Sequence, residues 1–538
     1  MENDWTNYAL LAGLGAAALW VNRSRRGALP RSASGRWAGA KEREHARRTA
    51  RRQQEQRAKN KVALQINPGG RGERVIPVPH AERGVLVMGQ PGSGKTYSAI
   101  DPLIRSALRQ GFPLVLYDFK YPTQTRRLFA YARHLGYTVQ VFAPGLPQSA
   151  VFNPLDLLVS AEDSETARQL AEVLNRNFKL AQQKGGEDAF FGPAGDQLAE
   201  AVLLTAKASP YPDLLMVQSL LSLDQLPQRL QTAEHLSSWV KASYGQFLSA
   251  ASSEKTAASI VATASALFTR FLKPQVARSF AGPSAIDFDL SGKKLLVLGV
   301  DRTRRDVVLP LVATLLHMLI QFNTHERRTE PLVLALDELP TLFLPALVNW
   351  LNENREDGLV SVLGLQNLAQ LERTYGKETA QAIFGACATK FLFNPGEKDS
   401  AQYISDMLGQ ESILQRSISR NTGKGGPSRT HSESEKTRPL LEASGLLKLG
   451  QGHCILLNPE YGSGKESGVP MRLAVRLDPG EMAIAELAEK LWSTQQPELL
   501  TNSPPVSAQS LAERQASAEQ FLPLAPADAS TVRSVPLF

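Results

Sequence analysis

Gly84-Val-Leu-Val-Met-Gly-Gln-Pro-Gly-Ser-Gly-Lys-Thr96 is the stretch on which the reading of the fold turns. Residues 84–88 read as a short buried strand, and Tyr97 onward reads as a helix. Between them Gly89, Gln90, Pro91, Gly92, Ser93, Gly94, Lys95 and Thr96 fit G-x-x-x-x-G-K-[ST]. A strand, this loop and a helix in that order are what a phosphate-binding loop requires. Glycines at 89, 92 and 94 let the backbone turn its N–H groups toward a triphosphate, and the helix N-terminus adds positive potential. Lys95 is placed to reach the β- and γ-phosphates of ATP, and Thr96 to hold Mg²⁺. The motif implies nucleotide binding without saying what the nucleotide is used for.

Outward from the loop, strands at 113–118 and 137–142 alternate with helices, which is an α/β parallel-sheet pattern. The pattern changes at Phe152-Asn-Pro-Leu155. Residues 160–272 hold no convincing strand and read as helices at 162–182, 194–208, 213–221, 225–241 and 254–272. Strands then resume at Lys294–Gly299, Leu332–Leu336, Leu359–Leu365, Lys390–Phe393 and His453–Leu457, with a helix at Val307–Asn323. Their unbroken apolar runs imply strands buried on both faces. Residues 416–438 are polar and rich in Gly and Ser, and are expected to form a mobile loop. Residues 495–538, rich in Ser, Ala and Pro, are expected to be a disordered tail.

The strand Leu332–Leu336 ends in Asp337-Glu338. A P-loop ATPase needs a carboxylate for Mg²⁺ and a base for the attacking water, and Asp337 and Glu338 are assigned those roles. Gln366 ends the next strand and is a candidate γ-phosphate sensor; an exposed strand-end amide is the alternative. Arg355 is a candidate arginine finger for a neighbouring subunit, or else a surface arginine paired with Glu353 or Asp357.

The 538 residues exceed one ordinary domain. The two cysteines, Cys387 and Cys454, are too few for a disulfide framework or a zinc site, and read as reduced core thiols. Tyr8–Val21 is apolar and uncharged, preceded by Glu2 and Asp4 and followed by Arg23, Arg25 and Arg26. It reads as one membrane anchor with a cytoplasmic C-terminal side. The run is short against the roughly 20 residues of a spanning helix, so an interfacial helix and a packed soluble helix remain alternatives. The net charge is +8, but residues 23–61 alone carry +11 and residues 62–538 carry −1. The basicity therefore belongs to an arm beside the membrane. It can lie on anionic headgroups, touch DNA or be a solvated helix that only sets topology.

The ordered motifs resemble those of the type IV secretion coupling proteins, the membrane-anchored DNA translocases of bacterial conjugation. The likeness runs from Gly35 to Arg472. It includes Gly35-Arg-Trp-Ala38, the loop 89–96, Tyr117-Asp-Phe-Lys120, Phe152-Asn-Pro-Leu155 and Asp337-Glu-Leu-Pro-Thr341. Arg355-Glu-Asp-Gly358, Gln366 with Gln370-Leu371, and Tyr375-Gly376 follow in the family's order. The resemblance implies a RecA-like motor with a mostly parallel sheet, an inserted all-α domain and an N-terminal membrane-anchor helix. It further implies homo-hexamers around a DNA channel at the inner membrane. Partners would be single-stranded DNA, a relaxase and other DNA-processing proteins recognised by the helical domain, and the type IV secretion channel components. The family commonly has two transmembrane helices around a small periplasmic segment. One short apolar segment stands there in this chain, so far-side contacts are not carried over.

The resulting division is an anchor at 1–22, a basic arm at 23–61, a first ATPase part at 62–159, the helical insertion at 160–272, a second ATPase part at 273–494 and the tail at 495–538. The rival functions are a motor for protein substrates, a chromosome-segregation DNA pump and a non-hydrolysing nucleotide-binding membrane scaffold. Deleting residues 1–22 is expected to release much of the protein from membranes and leave an attachment that weakens with salt, since exposed charges are screened beyond about 8 Å at physiological ionic strength. Fractionation with and without high salt checks this: full-length protein that washes off indicates an interfacial helix, and fully soluble protein indicates no anchor.

Overall fold

The computed structural model describes residues 35–56, 61–67, 74–181, 192–423, 426–462, 466–501 and 506–524. The expected anchor, and the arm before residue 35, lie outside the described residues. The described residues fall into two compact units, one drawn from 38–396 with 449–524, the other from 35–37 with 397–448.

The larger unit is built on nine strands. They are β1 Val85–Met88, β2 Leu114–Asp118, β3 Thr138–Phe142, β4 Lys294–Gly299, β5 Leu332–Leu336, β6 Leu359–Leu365, β7 Thr389–Leu392, β8 His453–Leu457 and β9 Met471–Ala474. Their order is β9-β8-β7-β1-β6-β5-β2-β4-β3. Every pairing from β7 across to β3 is parallel, and β8 is antiparallel to both β7 and β9. β1, β2, β5 and β6 are buried along their whole length. Their apolar side chains therefore point into helix layers on both faces, which is why the sequence shows no alternation there.

The sheet matches the sequence expectation closely; β9 and a small ribbon of Leu64–Ile66 with Ile76–Val78 were not foreseen. Both are short, and three or four residues carry too little pattern to register.

Helix α1, Asp101–Arg109, follows the loop after β1. The helical segment begins with α2, Ser164–Ala181, and continues through helices at Gly192–Ala208, Leu214–Leu221, Leu226–Thr232, Ser238–Ser243, Gly245–Ala250 and Glu254–Thr269. α2 packs along α3, Arg305–Thr324. Among the described residues α3 alone is long and apolar enough to cross a membrane, and here 83% of its apolar window is buried inside the protein. Helices α4, Leu368–Tyr375, and α5, Pro479–Gln495, complete the framework. α5 is fixed by Glu481, which accepts from Arg105 and Arg109 at 2.7 Å each, and by an edge-to-face contact of Trp492 with Phe129.

Three segments differ from the expectation. Part of the basic arm, Ala40–Gln56, is a helix, which is one of its readings, but it is not simply solvated, since Ala46 and Ala50 are buried. Its Arg47 and Arg48 pair with Glu44, and Arg51 pairs with Glu55. Part of the expected disordered tail is helix α6, Ala508–Phe521, opened by a Ser507–Ser510 capping box. Its Arg514 is buried and its Nε lies 2.9 and 3.1 Å from the two oxygens of Asp213, which also caps Leu214–Leu221 through the Met216 N–H. Breaking such a buried pair costs about 3–5 kcal/mol, because one charge is left without a partner. One buried arginine thus orders a segment whose composition reads as disordered.

The third difference belongs to the smaller unit. The expected mobile loop is a two-stranded ribbon of Gln410–Gly423 with Gly426–Pro439, paired over fourteen positions. A polar ribbon carries no hydrophobic alternation, so only the glycines at 423, 425 and 426 marked a hairpin. Helix Lys398–Leu408 precedes it, and Ser405 donates to the Leu441 carbonyl at 2.7 Å.

Candidate nucleotide site

The loop leaving β1 is held at its start by the ends of the two flanking strands. Gly89 N–H donates to the Leu365 carbonyl at 3.1 Å and Gln90 N–H to the Asn394 carbonyl at 2.8 Å. Gly92 and Gly94 have φ of 81° and 93°, a region that side chains disfavour. Thr96–Ile100 is a turn of π-helix leading into α1. Such turns recur at functional sites.

Lys95 is buried and its Nζ lies 3.3 Å from Glu338 Oε1 and 3.8 Å from Asp337 Oδ1. Thr96 Oγ1 donates to Asp337 Oδ2 at 2.6 Å. Burial pushes the Asp337 carboxyl up to about 6, against the opposing pull of Lys95 and the Thr96 hydroxyl. Its Oδ1 has no hydrogen-bond partner. A hard divalent cation such as Mg²⁺ takes ligands of this kind, carboxylate and hydroxyl oxygens, so the residues present fit that ion. Gln366 Nε2 donates to Glu338 Oε2 at 3.4 Å, and Gln370 Nε2 donates to Gln366 Oε1 at 3.1 Å. Glu338 is therefore held by a cation on one side and an amide on the other. A cavity of about 320 Å³ opens over the loop, bounded by Gly92, Lys95, Asp118, Arg127, Asp337 and Glu338.

The sequence-assigned residues at 89–96, 337, 338 and 366 converge in this one place. Arg355 does not. It precedes β6, whose other end, Leu365, lies beside Met88 at the start of the loop. Seven strand residues at about 3.3 Å each put it over 20 Å away. It borders a separate cavity with Lys61, His80, Glu82 and Arg83. Among the described residues it forms no ion pair with Glu353 or Asp357.

Two contributors have no role assigned on sequence, although Asp118 lies in the Tyr117–Lys120 motif. Asp118 accepts from the Gln124 and Thr125 N–H groups and the Thr125 hydroxyl at 2.8–3.0 Å, starting the helix Thr123–His134 at the cavity wall. Gly364 lies inside β6, which separates β1 from β5. A Cβ there would press on the Asp337 carbonyl and stand 2.8 Å from its C and Cα atoms. Only glycine lets Asp337 cross β6 to reach Thr96. The available signal was a glycine inside an otherwise buried strand, which marks a close backbone approach.

A family model described as the type IV secretion-system coupling protein DNA-binding domain matches residues 74–462. Coupling protein TraD of Escherichia coli strain K12 is 36% identical over 93 residues, which are 17% of this chain and 13% of TraD's own length. The solved structure of the bacterial conjugative coupling protein TrwBdeltaN70, in an unbound form, covers 84% of this chain and 95% of its own at 16% identity, with a TM-score of 0.57. Plasmid coupling protein TrwB with the ATP analogue ADPNP gives 84%, 96%, 16% and 0.57. TrwB with ADP and Mg²⁺ gives 77%, 94%, 14% and 0.53. At these identities the likeness is one of fold.

Gly364→Ala is expected to destabilise the protein by about 1–3 kcal/mol, as overpacking of a tight site does. Gly385→Ala, at a helical position with nothing within 4 Å, is the control and is expected to be neutral or stabilising by up to about 1 kcal/mol. Urea denaturation of both variants checks this; equal stability would mean that the Asp337 approach relaxes freely.

Proposed function

The chain belongs to the type IV secretion-system coupling protein family, and from that premise we propose that it is an ATP-hydrolysing motor of conjugative transfer at the inner membrane. In this reading it works as a homo-hexamer and drives a DNA strand, with its attached relaxase, toward a type IV secretion channel. The helices between Ser164 and Thr269 supply recognition of the DNA-processing proteins.

The observation that carries the reading is the meeting of Lys95 and Thr96 with Asp337 and Glu338 across β6. The backbone N–H groups of Gly92, Gly94, Lys95 and Thr96 and the Lys95 ammonium bind the phosphates of ATP. Thr96 and Asp337 hold Mg²⁺, in keeping with TrwB, whose structures contain an ATP analogue or ADP with Mg²⁺. The Glu338 carboxylate accepts the proton of the attacking water, and Gln366 orients Glu338. A nucleotide-binding scaffold has no use for a carboxylate positioned in this way.

ATP hydrolysis by the full chain, measured as phosphate release with and without single-stranded DNA, tests the reading. Single strands are expected to raise the rate. Glu338→Gln should still bind a fluorescent ATP analogue yet turn over at least about 10²-fold more slowly, whereas Lys95→Ala should lose nucleotide affinity. Stronger stimulation by duplex DNA would identify a double-strand pump. Hydrolysis indifferent to any DNA would identify a protein-substrate motor, and no hydrolysis a scaffold.

Arg355 is too far from its own chain's Lys95 to act there, so a finger role requires a neighbouring subunit. Mixing Arg355→Ala protein into wild type is then expected to depress activity more than in proportion. Strictly proportional loss would remove the finger role.

A further inference from the structure

A second cavity, of about 950 Å³, lies between α2 and the motor, on the other side of the wall that carries Glu338. Glu338 and Phe119 border both this groove and the nucleotide cavity. Four exposed cations surround the groove: Arg176 and Lys179 from α2, Arg305 at the start of α3, and Arg373 from α4. None of the four forms an ion pair among the described residues. The acids facing it are Asp306 and Glu338, and Glu338 is already engaged by Lys95 and Gln366. Asp196, whose carboxyl responds to Lys179 and Arg176, is bound by Asn175.

Two aromatic rings complete the lining. The Arg305 guanidinium sits 4.5 Å from the centre of the Phe119 ring, and that of Arg176 5.7 Å from the Phe343 ring. A groove of unpaired cations, two of them arginines set over aromatic rings, suits a ligand that is anionic along its backbone and carries flat bases. A free phosphate would need only one or two of these cations and no rings. A duplex keeps its bases stacked internally and has no use for the arginine faces.

The groove is wired to the chemistry. Gln370 and Arg373 lie on the same helix, α4, and both border the groove. Gln370 donates to Gln366 at 3.1 Å, and Gln366 donates to Glu338 at 3.4 Å. Thr374, also on α4, donates to the Pro340 carbonyl at 2.7 Å, while Thr341 Oγ1 donates to the Glu338 carbonyl at 2.6 Å. Any ligand that pulls on α4 therefore acts on Glu338 through its side chain and through its backbone.

We propose that this groove seats a single-stranded nucleic acid, and that Gln370, as a positioning residue acting through Gln366, reports its occupancy to Glu338. The proposal rests on the motor reading above and adds to it where the strand sits and how hydrolysis senses it.

The test uses the full chain and a fluorescein-labelled oligothymidylate, with binding followed by anisotropy over a range of salt. The double variant Arg176→Glu/Lys179→Glu and the separate variant Arg373→Glu are each expected to raise the dissociation constant about 10-fold or more. The double variant should also flatten the log–log salt slope by about 1.4, because each lost phosphate contact on a single strand is worth about 0.7. Thermal melting followed by circular dichroism shows that the variants are folded. Gln370→Ala is expected to keep the oligonucleotide affinity while the ratio of strand-stimulated to basal hydrolysis falls toward one. Wild-type affinity and slope in both charge variants overturn the site, and a wild-type stimulation ratio in Gln370→Ala overturns the relay. A duplex of the same length that displaces the oligonucleotide more strongly than a single strand does overturns the ligand assigned. Failure of the motor reading looks different: wild-type protein binds the strand but hydrolysis ignores it, and anisotropy of the charge variants still decides whether the groove is the seat.

Discussion

One lysine and two carboxylates share a small, largely dehydrated space at the C-terminal edge of the sheet. Lys95 lies within 3.8 Å of both Asp337 and Glu338, so the cluster is short of one positive charge. Burial of ionised groups is expensive unless each has partners, and the strain shows in Asp337, whose proton affinity is raised and whose Oδ1 stands without a hydrogen bond. A divalent cation held by Thr96 and Asp337 would relieve this imbalance. The rest of the larger unit serves to hold the three groups at this separation.

The sheet does so through order and burial. β6 lies between the strand that delivers Lys95 and the strand that delivers Asp337 and Glu338. Fully buried strands contribute about 1.5–3 kcal/mol for each large apolar side chain and leave little freedom of register. The carboxylates can then cross β6 only over Gly364. α4 packs beyond this edge and carries Gln370 and Arg373, so the same strand order that builds the nucleotide cavity places it back to back with the basic groove. The two cavities share Glu338 because both open at the C-terminal edge of β5 and β6, where ligand crevices of open α/β sheets lie.

The helices from Ser164 to Thr269 are tied to the motor at several points. α2 lies along α3, Asn177 accepts from the Phe343 N–H at 2.8 Å, and α6 closes over Asp213 through Arg514. A movement of these helices is thereby transmitted to the segment that follows Glu338, since Phe343 lies five residues beyond it.

The sequence by itself determined the parallel sheet, the phosphate-binding loop and the carboxylate pair, because each is written in a contiguous stretch. Buried strands appear as apolar runs, and the chemistry of residues 89–96 depends on local backbone conformation. The tertiary structure alone decided what depends on distant partners. Arg514 finds Asp213 across 301 positions, so a segment of disordered composition becomes a helix. Arg355 falls at the end of β6 away from Lys95, although it precedes Gln366 by only eleven residues, because a strand carries its two ends to opposite edges of a sheet. The four groove cations come from three separate helices. Apart from Arg176 and Lys179, three residues apart on α2, no spacing along the chain relates them, since the long-range packing that gathers them leaves no local period to read.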